Sequence, residues 1–257
     1  MAESVSPFPA QKPGCLFCFP REGGITPHFK DWEGWGRQGR VGGGNLAEVT
    51  LFESDGLRVV PDIFPVRSDG HHVLAIGKKH RTAYAQPEVL ASEMHHLLHV
   101  LRDETGKPVI FAEHGGGMPH NGYEEPDTNM SIHHRHAHIV YGEHGLNPLA
   151  YMRNALQLEG WDPKTIAVPN LNPVDKLVEL YNGHPYLFFN VGPEALWIED
   201  TQGAMRSMTT QRNLSKMYGR EVNWKQLVSD PASSKEATRR LMNLMGECSG
   251  TGLFTAR

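Results

Sequence analysis

The order of predicted elements places this sequence in the α+β class, with a mainly antiparallel sheet. Strand patterns come first, one long helix follows, and further strand patterns come after the helix. The chain has 257 residues, which suits one large domain or a compact domain with a substantial extension. Because 39% of the residues are hydrophobic, wholesale disorder is not expected.

The first half of the chain carries the strand patterns. Residues 1–44 hold a polar tail and a Gly-rich stretch that is typical of a long loop. Asp55 and Gly56 form a turn signal between two strand-like runs, so a hairpin is expected there. Strands are predicted over residues 47–53, 57–61, 72–77, 109–112 and 131–141, with a Gly/Pro-rich loop over residues 113–127.

A single long helix is predicted over residues 87–104. Pro87 lies near its first turn and Gly106 follows its end, which are ordinary start and stop signals. Its apolar residues recur at helical spacing, at Leu90, Met94, Leu97, Leu98 and Leu101. This apolar stripe must be covered by another element or by another chain.

The character of the sequence changes near residues 143–147, where we place a soft domain boundary. Residues 45–145 form the predicted core, and residues 146–257 form an α/β extension that either packs on the core or folds independently. In the extension we expect helices over 148–158, 209–218 and 233–247, a hairpin over 186–189 and 195–199, and irregular structure over 166–173.

Composition and charge exclude several classes of protein. No run of about 18 apolar residues occurs, so no transmembrane helix is expected, and residues 1–13 lack the apolar centre of a secretory signal. A net charge of −4 does not favour an extended nucleic-acid surface, although it is compatible with a local phosphate site. Three cysteines are too few for a disulfide framework, which favours a cytoplasmic location.

Histidine is unusually frequent, with 15 in the chain, and three of them alternate. On a strand, His134, His136 and His138 share one face, because successive side chains point to opposite sides. A solvated or core-filling stripe and a His-rich metal-binding tract are the simpler explanations. The apolar continuation at Ile139 and Val140 instead indicates a strand inside a fold, which favours a site built from the imidazoles.

This segment resembles the signature of the histidine triad (HIT) superfamily of nucleotide hydrolases and transferases, although Arg135 departs from the first apolar spacer. Further motifs support the resemblance, which covers about residues 15–141. They are Asp62-Ile63-Phe64-Pro65, the strand-like run beginning at His72, the sequence Lys78-Lys79-His80, and Ser131 three residues before the triad. The resemblance implies a HIT-like antiparallel sheet with one long helix.

The resemblance also implies a nucleotide substrate that is cleaved at its α-phosphate. It assigns His136 as the nucleophile that forms a nucleotidyl-phosphohistidine, since a neutral imidazole is nucleophilic at pH 7 and can leave again. It implies that His138 and Ser131 donate to phosphate oxygens, or that Ser131 assists the leaving group. It places Asp62 and Ile63 in the substrate-binding part of the site, with Asp62 on the ribose hydroxyls.

One position departs from the family pattern. Members commonly place an asparagine at the end of the strand before the triad, where this chain has Glu113 followed by His114. A carboxylate near phosphates repels them unless it is protonated or paired, and His114 could pair with it or join the substrate-binding site. Relatives also associate through their long helix, so the resemblance implies a homodimer.

Cys15 and Cys18 form half of a possible zinc site. Some HIT proteins complete such a pair with two histidines, which correspond here to His80 and His134. A Cys₂His₂ set leaves no open position, so the zinc would be structural, and no organic cofactor is expected. Two reduced, half-buried cysteines are the alternative.

The leading hypothesis is a HIT-type nucleotide hydrolase or nucleotidyl transferase of the phosphoramidate or dinucleoside polyphosphate class. Histidine at position 138 favours hydrolysis, because the uridylyltransferase and phosphorylase branches tend to carry glutamine there. The alternatives are a zinc-stabilised nucleotide-binding or interaction protein with little turnover, and a HIT enzyme repurposed for a specialised substrate. Glu113 and the C-terminal extension keep both alternatives open.

Overall fold

The computed structural model describes residues 51–62, 65–67, 69–79, 83–85, 91–116, 135–202, 204–205 and 209–220. Within these ranges the chain forms eight β-strands and four α-helices. The strands are β1 (Phe52–Glu53), β2 (Leu57–Pro61), β3 (His72–Gly77), β4 (Ile110–Gly115), β5 (His136–Val140), β6 (Lys164–Ala167), β7 (Tyr186–Val191) and β8 (Glu194–Glu199). The helices are α1 (Ala91–Thr105), α2 (Pro148–Leu158), α3 (Pro173–Leu180) and α4 (Thr209–Met217).

The eight strands join one sheet in the order β1-β2-β3-β5-β4-β7-β8-β6, and every adjacent pair is antiparallel. The predicted α+β class with a mainly antiparallel sheet is therefore confirmed. Strand β7 pairs with β4, with Val191 opposite Ile110. Strands of the predicted C-terminal extension thus continue the sheet of the predicted core.

The two faces of the sheet carry separate cores. In the register of β3 and β5, His72 lies opposite Val140 and Leu74 lies opposite His138, so both histidines are on the same side, which we call the histidine face. The buried residues of this face include Ile110, Ala112, Val140, Met152, Leu156, Leu187, Phe189, Leu214 and Met217. Those of the opposite face include Leu57, Val73, Met94, Leu97, Phe111, Ile139, Leu177 and Phe188. Helices α2 and α4 therefore cover the histidine face, and α1 and α3 cover the opposite face.

The apolar stripe of α1 is covered within a single chain. Met94, Leu97, Leu98 and Leu101 are buried in the core of the opposite face, together with Leu177 of α3. Burying each such side chain contributes about 1.5–3 kcal/mol to folding. The apolar face of α1, from which a homodimer is expected, is thus covered by the chain's own sheet and by α3. The homodimer stays a prediction, and this face no longer supports it.

Most predicted elements are confirmed, including the bounds of β2, β3 and α2. The expectation of irregular structure over residues 166–173 is wrong in part, because β6 and α3 flank it. Strand β6 has the burial pattern of an exposed edge, so it carries little apolar signal. Helix α3 has Pro173 in its first turn, and the N-cap Asn172 accepts a hydrogen bond from the Asp175 amide.

Several expectations fall on residues that the structure does not describe. They concern the segment 1–44, the start of the long helix and the helix over 233–247. Within the part of the chain that is described, none of the helices is both long enough and apolar enough to cross a membrane.

Candidate active site

A buried cluster of one carboxylate and two imidazoles lies on the histidine face. Asp62 follows β2, His72 begins β3 and His138 lies in the middle of β5. The Nε2 atom of His72 is 3.0 Å from Nδ1 of His138 and 3.3 Å from Oδ2 of Asp62. The distance from His138 Nδ1 to Asp62 Oδ2 is 3.4 Å. The three side chains therefore form one compact cluster, in which His72 and His138 are joined by a hydrogen bond.

Strand register brings this group together. His72 and His138 are diagonal neighbours on adjacent antiparallel strands, a separation that aromatic side chains can bridge. The Asp62 amide donates to the His72 carbonyl at 3.1 Å, which extends the β2–β3 pairing by one residue and carries Asp62 to the same level. Asp62 and His72 thus lie next to His138 in space, although 76 and 66 positions respectively separate them from it in the sequence.

The environment of His72 fixes which of its ring nitrogens carries hydrogen. The Val66 amide donates to His72 Nδ1 at 3.1 Å, so Nδ1 must present a lone pair. Burial lowers the pKa of His72 to about 3, against the attraction of Asp62 and with smaller contributions from His138 and Arg220. The ring is therefore neutral at pH 7 and carries its hydrogen on Nε2, which faces His138 and Asp62.

The spacing of this cluster would also allow a metal ion to be held between Asp62, His72 and His138. A ligating histidine must offer a lone pair to the metal. In His72 the lone pair is on Nδ1 and is engaged by the Val66 amide, whereas Nε2 carries the hydrogen. The donor set therefore does not fit a metal, and the cluster is a hydrogen-bond network.

His136 extends the network toward solvent. Its ring centroid is 5.4 Å from that of His138, and the His138 ring is 5.1 Å from that of His72. His72 is 0% exposed, the His138 side chain is 12% exposed, and His136 is partly exposed. A line of three imidazoles therefore runs from the core to the surface and ends at the predicted nucleophile.

Glu113 lies on the opposite face and is not brought to the histidines. It is 1% exposed and accepts hydrogen bonds from the Tyr186 hydroxyl and the Tyr84 amide, both at 2.7 Å. Burial raises the pKa of Glu113 to about 7, although both hydrogen bonds and the charge of Arg135 oppose the rise. The anticipated repulsion between Glu113 and a phosphate near the histidines is therefore absent from this arrangement.

His114 is on the histidine face, because it is the next residue after Glu113 along β4. Burial lowers the pKa of His114, against the attraction of Asp200. Glu113 and His114 thus point to opposite sides of the sheet, so the alternative in which His114 pairs with Glu113 is wrong. His114 shares a face with His136 and His138, and Glu113 does not.

Three residues to which the sequence patterns assign no role take part in the site. His72 lies in the quoted strand motif, so its position was visible but its role was not. Gln211 of α4 donates from Nε2 to Asp62 Oδ2 at 3.4 Å, and Arg220 donates from Nη1 to the Pro65 carbonyl at 2.5 Å. Gln211 and Arg220 belong to the C-terminal extension, and no local pattern marks them.

The remaining predicted site residues lie outside the described part of the chain. They are Ile63 and Ser131 of the substrate-binding and catalytic sets, and Cys15, Cys18, His80 and His134 of the zinc set.

No protein-family model matches the sequence, and no curated protein matches it. Among solved structures, the chain is similar to the yeast Ap4A phosphorylase Apa2 in complex with Ap4A, with 11% identity, a TM-score of 0.38 and coverage of 76% of this chain and 77% of that chain. Two further Apa2 structures, one of them in complex with AMP, give 10% and 12% identity, TM-scores of 0.39 and 0.40, and 76% coverage of both chains.

Proposed function

We propose that this chain is an enzyme that cleaves nucleotides at the α-phosphate, with His136 as the nucleophile. The observation that carries the proposal is the line of imidazoles from buried His72 through His138 to partly exposed His136. A nucleophile must be accessible to substrate, and the groups that orient it are best held away from water. The buried ring of His72 and the partly exposed ring of His136 meet these two requirements.

The first half of the reaction follows from the chemistry of imidazole. A neutral ring nitrogen of His136 attacks the α-phosphorus, the nitrogen–phosphorus bond forms, and the bond from phosphorus to the leaving group breaks. In the second half, water attacks the same phosphorus and His136 is released with its electron pair. Transfer to another acceptor differs only in what replaces water, and the histidine at position 138 favours hydrolysis.

The network suits His138 as a donor to a phosphate oxygen. When the Nε2–H of His72 donates to Nδ1 of His138, the neutral His138 ring must carry its own hydrogen on Nε2. A fixed N–H group aimed at a non-bridging oxygen stabilises charge that develops in the transition state. In this proposal Asp62 helps to hold the His72 ring, because its Oδ2 lies 3.3 Å from the Nε2–H of His72, in addition to the ribose contact that the resemblance implies.

The position of Glu113 bears on the alternatives. Glu113 keeps open the alternative of a binding protein with little turnover, because a carboxylate beside the phosphates would disturb the usual substrate pose. Glu113 is instead bonded to Tyr84 and Tyr186 on the opposite face. The histidine face is thereby left without that obstacle, which supports an enzyme.

The decisive experiment is mass spectrometry of the protein after incubation with dinucleoside polyphosphates and nucleoside phosphoramidates. We expect an acid-labile nucleotidyl adduct on the peptide that contains His136, together with turnover. His136→Ala should abolish both, whereas His99→Ala, which changes an exposed histidine of α1, should abolish neither. Turnover that survives in His136→Ala would refute the assigned nucleophile. If the wild type gives no adduct and no turnover with any member of the panel, the proposed activity is refuted.

A further inference from the structure

One peptide group connects a cation of the C-terminal extension to the buried end of the histidine line. Arg220 donates from Nη1 to the carbonyl oxygen of Pro65 at 2.5 Å. The amide of Val66 donates to Nδ1 of His72 at 3.1 Å. The Pro65 carbonyl and the Val66 N–H belong to the same planar peptide unit. Arg220 therefore binds one end of the amide whose other end binds His72.

A peptide unit transmits polarisation between its two ends. A cation at the carbonyl oxygen increases the double-bond character of the C–N bond and makes the N–H a stronger donor. A stronger Val66 donor holds the lone pair of His72 more firmly on Nδ1. The hydrogen of His72 is then held on Nε2, where it faces His138 Nδ1 at 3.0 Å.

The segment that carries Arg220 is fixed by several contacts. The Arg220 amide donates to the Ser215 carbonyl at 2.9 Å, which closes the end of α4. The Tyr218 hydroxyl lies 2.6 Å from Nδ1 of His144, and the Arg67 guanidinium lies 5.0 Å from the Tyr218 ring centroid. Since Val66 is 0% exposed, water does not compete for the peptide group on its side. The hydrogen bonds at both ends are thus held in place before any substrate arrives.

We propose that Arg220 is a positioning residue that fixes the tautomers of His72 and His138 through the Pro65–Val66 peptide group. Its consequence for catalysis rests on the proposed function, because only a working site requires His138 to present its Nε2–H to a phosphate. The charged and titratable groups that face His72 are Asp62, His138 and Arg220. Of these, Asp62 and His138 contact the ring on the Nε2 side, and Arg220 acts through the Nδ1 side.

The test is ¹⁵N NMR of the full chain labelled at histidine, at pH 7 and without any nucleotide. The two ring nitrogens of His72 are assigned by their loss in His72→Gln. The wild type should show one neutral tautomer, with hydrogen on Nε2. Arg220→Met should lower the tautomer ratio by roughly two- to threefold, because polarisation of the peptide group strengthens the remaining Val66 hydrogen bond only by a fraction. Arg220→Lys, which keeps a cationic donor, should restore most of the ratio.

A matched control separates this effect from a general loss of charge. Arg212 lies on α4, the helix that precedes Arg220, and its guanidinium forms an exposed ion pair with Glu159 at 2.9 Å instead of contacting the Pro65–Val66 peptide. Arg212→Met should leave the His72 signals at their wild-type positions. An unchanged His72 spectrum in Arg220→Met would overturn the proposal, as would a wild-type ring with hydrogen on Nδ1. If Arg220→Met does not fold, Arg220→Gln replaces it, and an unchanged His72 spectrum in that variant overturns the proposal equally.

A kinetic arm distinguishes this proposal from the proposed function. On a nucleotide that the wild type turns over, Arg220→Met should lower kcat by roughly two- to threefold with little change in KM, since the substrate is bound by other groups. A rise in KM with unchanged kcat would show that Arg220 binds substrate directly and would overturn the positioning role. The NMR arm contains no nucleotide, so absence of turnover would refute the enzyme proposal and leave the tautomer result standing.

Discussion

The side chain of Arg135 lies directly over Gly77, on the sheet face opposite to the histidines. A Cβ atom built at Gly77 would be 1.9 Å from Nε of Arg135 and 2.8 Å from Cγ and Cδ. The guanidinium is 5.7 Å from the centroid of the Tyr84 ring, and the charge of Arg135 opposes the rise that burial causes in the pKa of Glu113. The two departures from the HIT pattern, at positions 113 and 135, therefore belong to one buried cluster on the same face.

The missing side chain at Gly77 gives the first prediction. Gly77→Ala should lower the free energy of unfolding by about 1–3 kcal/mol, because the new methyl group overpacks a rigid strand against a buried arginine. Urea denaturation measures the change. In the background of Arg135→Ala the same substitution should cost far less, since the clashing atoms are gone. Equal costs in both backgrounds would show that Arg135 does not occupy this space.

The buried carboxyl of Glu113 gives a prediction about pH. Burial raises its pKa from 4.5 to about 7, so the folded state binds a proton that the unfolded state has lost between these values. The contribution of Glu113 to the free energy of unfolding is therefore largest below pH 4.5. It decreases as the pH rises to 7, by roughly 3 kcal/mol at most. His72 acts in the opposite direction, because its lowered pKa makes stability fall as pH drops from 6.5 toward 3.

A single variant isolates the Glu113 contribution. Glu113→Gln cannot ionise, so its stability relative to the wild type should improve between pH 5 and pH 8, as measured by urea denaturation at both values. Glu104→Gln, which changes an exposed residue at the end of α1, should show no such trend. A Glu113→Gln difference that is the same at both pH values would contradict a raised pKa.

The sequence predicted the α+β sheet well, because continuous apolar runs such as the one in β3 mark buried strands without any knowledge of the partners. It misplaced Glu113 for a local reason. The Gly/Pro-rich composition after residue 112 favoured a loop, whereas β4 continues to Gly115 and strand alternation carries Glu113 away from the histidines. Because Ala112 lies opposite His138, the odd-numbered neighbours on β4 must point to the other face.

Gln211 and Arg220 could not be found by pattern. They meet Asp62 and Pro65 across 149 and 155 positions of the chain, and each is a common surface residue type. Only the packing of α4 on the histidine face brings them to the site. By contrast, His136 and His138 were recognised because alternation on a single strand is visible in the sequence.

The zinc site is a prediction on residues outside the described ranges. We propose one structural zinc bound by Cys15, Cys18, His80 and His134, and we expect about one zinc per chain in protein purified without chelator. Cys15→Ser should lower metal content and thermal stability together, because a structural metal contributes directly to folding. Cys248→Ser is the matched control and should change neither. Protein without zinc would refute the site, and full zinc content in Cys15→Ser would exclude Cys15 as a ligand.

Helix α4 turns an unusually polar surface toward the protein interior. Thr210, Asn213 and Ser215 are at most 3% exposed, and Thr210 Oγ1, Asn213 Nδ2 and Ser215 Oγ have no hydrogen-bond partner among the residues that the structure describes. Thr210→Val removes one unpartnered hydroxyl at nearly constant volume, so we expect the free energy of unfolding to stay unchanged or to rise by about 1 kcal/mol. Thr105→Val is the control, since its hydroxyl donates to the Leu101 carbonyl at 2.9 Å and its loss should be destabilising. A loss of more than 1 kcal/mol in Thr210→Val would show that this hydroxyl has a partner in solution.

The hydrogen bond between His72 and His138 gives the last prediction, which concerns rate. His138→Ala should lower kcat by a factor of order 10²–10³, as for other fixed donors to a developing charge.

His72→Gln and His72→Asn separate the two sides of the His72 ring, because the glutamine amide can replace the Nε2 donor and the asparagine oxygen can replace the Nδ1 acceptor. If the donor to His138 is what matters, His72→Asn should be much slower than His72→Gln, and His72→Asn should add little to His138→Ala in the double variant. Steady-state kinetics on the nucleotide that gives the His136 adduct measures all four variants. Equal rates for the two His72 variants, or independent effects in the double variant, would show that His72 does not act through His138.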